Sequence, residues 1–198
     1  MYSTLNKPPE FTELVTDATS EALTLEEVKL HSRVTDSADD DAISRDITAA
    51  RLFVQKETGR AIMSSTWRRT MDWFPGCIFL RYPPVSAITS ITYYDTAGTS
   101  QTLSASDYTS DLRSEKARIT PAYGLTWPST QSRIGAVTVN YTAGYASAAL
   151  VPTPIKQAML MLCDHWYNQR AAAATGNVKQ VDFSVDALLA GYMVAEYA

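Results

Sequence analysis

The 198-residue sequence lacks the patterns that most catalytic and metal-binding sites need. It contains two histidines, His31 and His165, and no CxxC, HExxH or histidine-rich cluster, so a zinc site is not expected. It also contains no GxxxxGKS/T or GxGxxG phosphate loop and no GxSxG nucleophile turn. These absences predict a protein that is not an enzyme and that uses no cofactor.

Long apolar runs and clusters of positive charge are also missing. No stretch approaches 18 consecutive apolar residues, and residues 1–10 do not resemble a targeting segment. The formal net charge is -4 without a basic run, and tight duplex binding needs clustered Lys and Arg to neutralise phosphates. The two cysteines, Cys77 and Cys163, lie in apolar surroundings and are interpreted as reduced thiols of a cytosolic product.

Helical patterns occur at the two ends of the chain. Thr24 and Glu27 form a capping box that begins a helix over 24–33. Apolar residues recur every three or four positions over 40–58 and over 154–170, which predicts two amphipathic helices that pack together. A shorter helix is expected near 184–190.

The middle of the chain is rich in Thr, Tyr, Val and Ile, interrupted by Pro and Gly, which is typical of antiparallel strands. The expected strands are 62–73, 77–81, 86–95, 100–104, 117–120 and 135–142. The fold class is therefore α+β, a small helical bundle with an inserted antiparallel β-domain. We expect an extended N-terminal arm (1–23), a helical core (24–60 plus 151–171), the β-domain (61–150) and a C-terminal tail (172–198).

Two loops allow more than one interpretation. The acidic residues of 35–41 favour a helix N-cap over a cation site, because the ligand spacing of a calcium loop is absent. In Pro121–Pro128, Trp127 either closes the open end of the sheet or belongs, with Tyr123, to a protruding loop that contacts a neighbouring subunit or a stopper protein.

The C-terminal tail is unusually apolar, so it must be buried against its own domain or against a partner. Its candidate partner-binding residues are Val181, Phe183, Val185, Leu188, Leu189, Tyr192, Met193 and Tyr197.

Several segments, in this order, resemble a known family. They are Leu25–Lys29 with His31–Val34, Asp41–Ile43 with Ala49–Arg51, Glu57–Ile62, Thr66–Arg68, Leu80–Val85, Ile88–Tyr93, Pro121–Gly124 with Trp127–Pro128, Val137–Tyr145, Pro152–Ala158 and His165–Arg170. Together they are similar to the head–tail connector adaptors of siphophages and gene transfer agents. The resemblance covers about residues 22–172.

The resemblance implies a structural virion protein of the neck, made in the host bacterial cytoplasm. It implies a ring, typically of twelve subunits, beneath the portal protein and above a stopper or tail-terminator protein. DNA would pass through the ring without specific binding, and no membrane, metal or cofactor is implied. The C-terminal segment would dock on the portal, so deletion of 172–198 should abolish attachment to portal-bearing heads.

Two other functions remain open from the residues alone. One is a soluble β-rich binding module, either tail-associated or carbohydrate-binding, that does not assemble into a ring. The other is a hydrolase, which would need scattered carboxylates to converge in one pocket.

Overall fold

The computed structural model describes residues 8–169 and 178–194, with side chains described for 8–169 and 184–194. The fold is α+β, as the sequence predicts. The elements in chain order are β1 (Glu10–Thr16), α1 (Leu25–Ser32), α2 (Asp40–Thr58), β2 (Ser65–Met71), β3 (Ile78–Phe79), β4 (Val85–Tyr94), β5 (Ser100–Thr102), β6 (Tyr108–Asp111), β7 (Arg118–Pro121), β8 (Val137–Ala143), α3 (Thr153–Asn168) and α4 (Val178–Leu189). Within the described residues they form a β unit (8–18 and 64–144) and a helical unit (19–63, 145–169 and 178–194).

The β unit contains two antiparallel sheets. The larger sheet has the strand order β1-β2-β8-β4-β5, and the smaller has the order β3-β7-β6. Strands β2 and β8 pair in register along their whole length, from Ser65 opposite Ala143 to Met71 opposite Val137. Both strands alternate buried and half-buried residues. Because the burial alternates with a period of two residues, one face of the sheet points into the core and the other face is polar.

Apolar and aromatic side chains fill the core of the β unit. Val137, Val139 and Tyr141 are completely buried, and burial of such side chains contributes about 1.5–3 kcal/mol each. The Tyr141 hydroxyl donates to the Arg81 carbonyl at 3.0 Å, which satisfies its polar end. Trp67 stacks on Tyr82 with a ring separation of 4.0 Å.

Capping residues set the ends of the helices in the helical unit. The Thr24 hydroxyl accepts from the Glu27 amide, and the Glu27 carboxylate accepts from the Thr24 amide, so the predicted capping box is confirmed. Lys156 donates to Glu27 at 2.8 Å, and this contact lowers the pKa of the Glu27 carboxyl. Gly59 ends α2 at a positive φ of 67°, a conformation in which glycine avoids the strain of a Cβ.

The core of the helical unit lies where α2, α3 and α4 pack together. Its buried apolar residues include Ile43, Ile47, Ala50 and Val54 of α2, and Ile155, Ala158, Met159 and Leu162 of α3. The predicted packing of helix 40–58 against helix 154–170 is therefore confirmed. No helix within residues 8–169 and 178–194 is long and apolar enough to span a membrane.

The structure differs from the sequence-based expectations at three elements. Residues 10–16, expected only to be extended, form β1 and pair with β2. Strand β6 was not predicted at all, and it pairs with β7 in the smaller sheet. Helix α4 begins at Val178, several residues before the expected start near 184.

Candidate interaction surfaces

The structure offers no metal centre among the side chains that it describes. No group of three His, Cys, Asp or Glu residues within them is arranged to hold a metal ion. In the acidic loop, Asp40 forms an ion pair with Lys29 at 2.6 Å, and Asp39 accepts from the Tyr167 hydroxyl at 3.0 Å. Asp39 occupies the N-cap of α2 and Asp40 and Asp41 lie in its first turn, so the acidic loop begins a helix as predicted, although the Asp39 carboxylate makes no capping bond. The loop is held by contacts to α1 and α3.

Both thiols are free and buried, in agreement with the interpretation of reduced cysteines. Burial raises the pKa of Cys163 to about 12, and burial also raises the pKa of Cys77. A thiol in such surroundings carries almost no thiolate at neutral pH, so neither cysteine is suited to nucleophilic chemistry.

The candidate docking residues of the tail fall into three groups. Val185 and Leu189 are buried inside the helical unit. Leu188 and Tyr192 are half-buried, and Met193 is 47% exposed. The side chains of Val181 and Phe183, and the whole of Tyr197, lie outside the described residues. The described tail residues therefore comprise two buried side chains, Val185 and Leu189, and three that keep part of their surface in solvent, Leu188, Tyr192 and Met193, which we call the tail patch.

The tail patch is anchored to the end of α2. The Val194 amide donates to the Thr58 carbonyl at 2.9 Å, and the Arg60 guanidinium donates to the Tyr192 carbonyl. These two bonds fix the chain after α4 beside Gly59. A surface held in place in this way loses little conformational entropy when it binds a partner.

The loop between β7 and β8 presents an aromatic tip. Tyr123 is fully exposed and Leu125 is half exposed, and Gly124 between them has a positive φ of 78°. Tyrosine is enriched at protein–protein interfaces, so an exposed tyrosine at a loop tip is a candidate contact residue.

The base of the same loop is packed against the β unit. Trp127 stacks on Phe74 with a ring separation of 4.8 Å, and Arg133 lies 4.0 Å above the ring of Tyr94. Trp127 packs onto the β unit, while Tyr123 projects from it.

Sequence reasoning missed the buried ion-pair cluster that attaches β1 to the sheet. Glu10 binds Arg69, whose side chain is 4% exposed, and also lies 3.3 Å from Arg81. Arg69 donates in addition to the Phe79 carbonyl. Burial lowers the pKa of Arg69, and the neighbouring Glu10 opposes this effect. The partners are 59 residues apart in sequence, so no local pattern reveals them.

The open face of the larger sheet is mostly polar, with the exposed Phe11 at its β1 edge, and the charges of Glu13 and Arg68 on it are paired. Arg68 binds Glu13 at 3.2 Å and Asn140 at 3.2 Å, and Asn140 binds Ser90 at 3.0 Å, so a hydrogen-bonded row crosses four strands. The strand registers place small hydroxyl residues around this row, namely Thr66, Thr70, Thr92, Thr138 and Thr142. We call this surface the hydroxyl face.

Comparison with known families identifies the class of the protein. The head completion protein family model matches residues 21–183, and the chain therefore belongs to the head completion protein family. The match extends through the region in which the sequence resembles head–tail adaptors. Comparison with curated protein sequences finds no match.

Three solved structures share the fold across nearly the whole chain, each covering 95% of this chain and 97% of the matched chain. The first is the neck of an empty gene transfer agent particle computed with C6 symmetry, with a TM-score of 0.76 and 25% identity. The second is the virion of a native gene transfer agent particle, with a TM-score of 0.77 and 24% identity. The third is the neck of a native gene transfer agent particle computed with C12 symmetry, with a TM-score of 0.70 and 22% identity.

The recognised adaptor family is thus confirmed, and the chain is a structural head–tail connector protein and not an enzyme.

Proposed function

We propose that this protein forms a ring in the neck of a tailed-phage-like particle, between the portal protein above and a stopper or tail-terminator protein below. The observation that carries the proposal is the match of both the family model and the whole fold to head completion and neck proteins. A ring of twelve copies is supported by a similar chain from a neck computed with C12 symmetry. The protein would be made in the host cytoplasm before it joins the virion.

Two surfaces are assigned to partners in this proposal. The tail patch docks on the portal protein, because it is the part of the tail whose described apolar side chains remain at the surface. The tip of the β7–β8 loop, with Tyr123 and Leu125, contacts the stopper or a neighbouring subunit. Trp127 holds the loop in position through its stack on Phe74. An exposed aromatic on a rigid base has the character of an interface hot spot.

The hydroxyl face is suited to line the DNA conduit. DNA that must pass through a ring needs a wall that hydrates its phosphates without binding them, and phosphate binding needs unpaired cationic groups. On this face the Arg68 guanidinium is already bound by Glu13 and Asn140. The chain as a whole carries a net charge of -4.

The purified protein is accordingly expected not to bind duplex DNA. In fluorescence anisotropy at low salt, micromolar protein should leave a labelled duplex free. The triple variant Thr66→Lys, Thr70→Lys and Thr138→Lys, which adds unpaired charge to the hydroxyl face, should gain salt-dependent binding. Salt-dependent binding by the unmodified protein would contradict the proposed conduit wall.

The experiment that tests the proposed function is attachment to purified heads. The full-length protein is mixed with heads that contain the portal and with heads assembled without it, and bound protein is measured after sedimentation. We expect stoichiometric binding to the portal-bearing heads alone. Equal binding to both kinds of head, or binding to neither, would overturn the proposal.

A further inference from the structure

Within the part of the chain that the structure describes, strand β1 is an edge of the larger sheet with few of the features that normally prevent edge-to-edge pairing. It exposes Phe11, Leu14 and Val15, with Phe11 62% exposed. The strand contains neither proline nor lysine, which are the usual protective residues at an edge. A bulge between Leu14 and Thr16 interrupts its far end, but Glu10–Leu14 pairs with β2 without a break.

The charges of β1 do not protect the edge either. Glu10 is bound by Arg69 and Arg81, and Glu13 is bound by Arg68. All three arginines belong to the β unit itself, so these carboxylates are already neutralised before any partner approaches. An incoming strand would therefore meet backbone groups and apolar side chains, without an uncompensated charge to desolvate.

The opposite edge of the same sheet is β5, whose Ser100, Gln101 and Thr102 are all exposed and uncharged. The sheet has five strands and every neighbouring pair is antiparallel, so β1 and β5 run in the same direction. If a second copy is generated by rotation about an axis parallel to the strands, its β1 runs parallel to β5 of the first copy. This contact uses two different surfaces, which is the kind of contact that closes into a ring.

We propose that β5 of one copy pairs with β1 of the next, so that the larger sheets of neighbouring subunits join into one continuous sheet. The inference rests on the proposed ring and names its subunit contact. The occupant of the β1 edge is a second copy of this chain, because the cyclic ring requires two distinct complementary surfaces and the two edges of this sheet provide them. The alternative, a β1–β1 contact, is antiparallel and closes at two copies.

Cysteine crosslinking tests this contact. Thr12 pairs with Arg69, which lies opposite Val139, and Gln101 pairs with Tyr93, which lies opposite Val137. Val137 and Val139 both belong to the buried face, so Thr12 and Gln101 project to that same face. The double variant Thr12→Cys, Gln101→Cys is bound to portal-bearing heads and treated with a short bis-maleimide. The native Cys77 and Cys163 are buried and give a low background. The matched control is Ser114→Cys, Gln101→Cys, in which Ser114 is exposed but lies outside the sheet edges.

We expect the double variant to form a ladder of dimers, trimers and larger species on a denaturing gel, with loss of most of the monomer band. Each single variant and the Ser114 control should stay monomeric. Rings that assemble but give no ladder would overturn the edge contact while leaving the proposed function intact. Dimers from Thr12→Cys alone would overturn it in favour of β1–β1 pairing. Failure of the protein to attach to heads at all would count against the proposed function instead.

Discussion

Replacement of Glu10 by alanine is expected to lower the free energy of unfolding of the β unit by about 3–5 kcal/mol. The substitution removes the carboxylate that binds Arg69, and it leaves that guanidinium buried, donating to the Phe79 carbonyl but without its acidic partner. It also frees β1 from Arg81. Urea denaturation followed by tryptophan fluorescence measures the loss, because Trp67, Trp73 and Trp127 all belong to the β unit.

A matched ion pair on the same strand provides the control. Glu13 and Arg68 are 42% and 43% exposed, and exposed pairs contribute about 0–1 kcal/mol. Glu13→Ala should therefore leave the urea midpoint almost unchanged. If both substitutions have similar small effects, the Glu10 cluster is not the attachment of β1 that the structure indicates.

Introduction of a negative charge into the tail patch is expected to prevent attachment to portal-bearing heads. Leu188→Asp and Met193→Asp place a carboxylate where the proposed contact excludes water, and disruption of such an apolar contact weakens binding by about 30-fold or more. Met193 is 47% exposed and Leu188 is half-buried, so Met193→Asp is the less disruptive of the two substitutions. The measurement is sedimentation of the variant with purified heads.

Deletion of 172–198 would be a less specific test, because Val185 and Leu189 belong to the core of the helical unit. The control for the point variants is Ala187→Asp, which adds the same charge to an exposed position of α4 outside the tail patch. Circular dichroism should be unchanged for all three variants. Normal attachment of the Leu188 and Met193 variants would exclude the tail patch as the portal contact.

The helices were predictable because their signals are local. The Thr24–Glu27 capping box, the Gly59 terminus and the apolar spacing of α2 each lie within a few residues of the structure that they determine. Strand β8 was predictable for the same reason, since its alternation of apolar and polar residues reports a buried face directly.

Strand β1 and the tail were harder to predict because their structure depends on distant partners. The apolar residues of β1 do not alternate strictly, and its stabilising contacts come from Arg69 and Arg81 far along the chain. The apolar composition of the tail shows that this segment must be buried, but it does not show which surface covers it. Leu189 is buried in the helical unit whereas Met193 is exposed, although both side chains are apolar.

Electron microscopy of the protein mixed with portal-bearing heads or with isolated portal tests the connector ring most directly. The proposed function predicts a closed ring on the outer face of the portal, with cyclic symmetry and one copy of this chain per repeat. Class averages that show single copies bound without a ring, or portals with no added density, would contradict it.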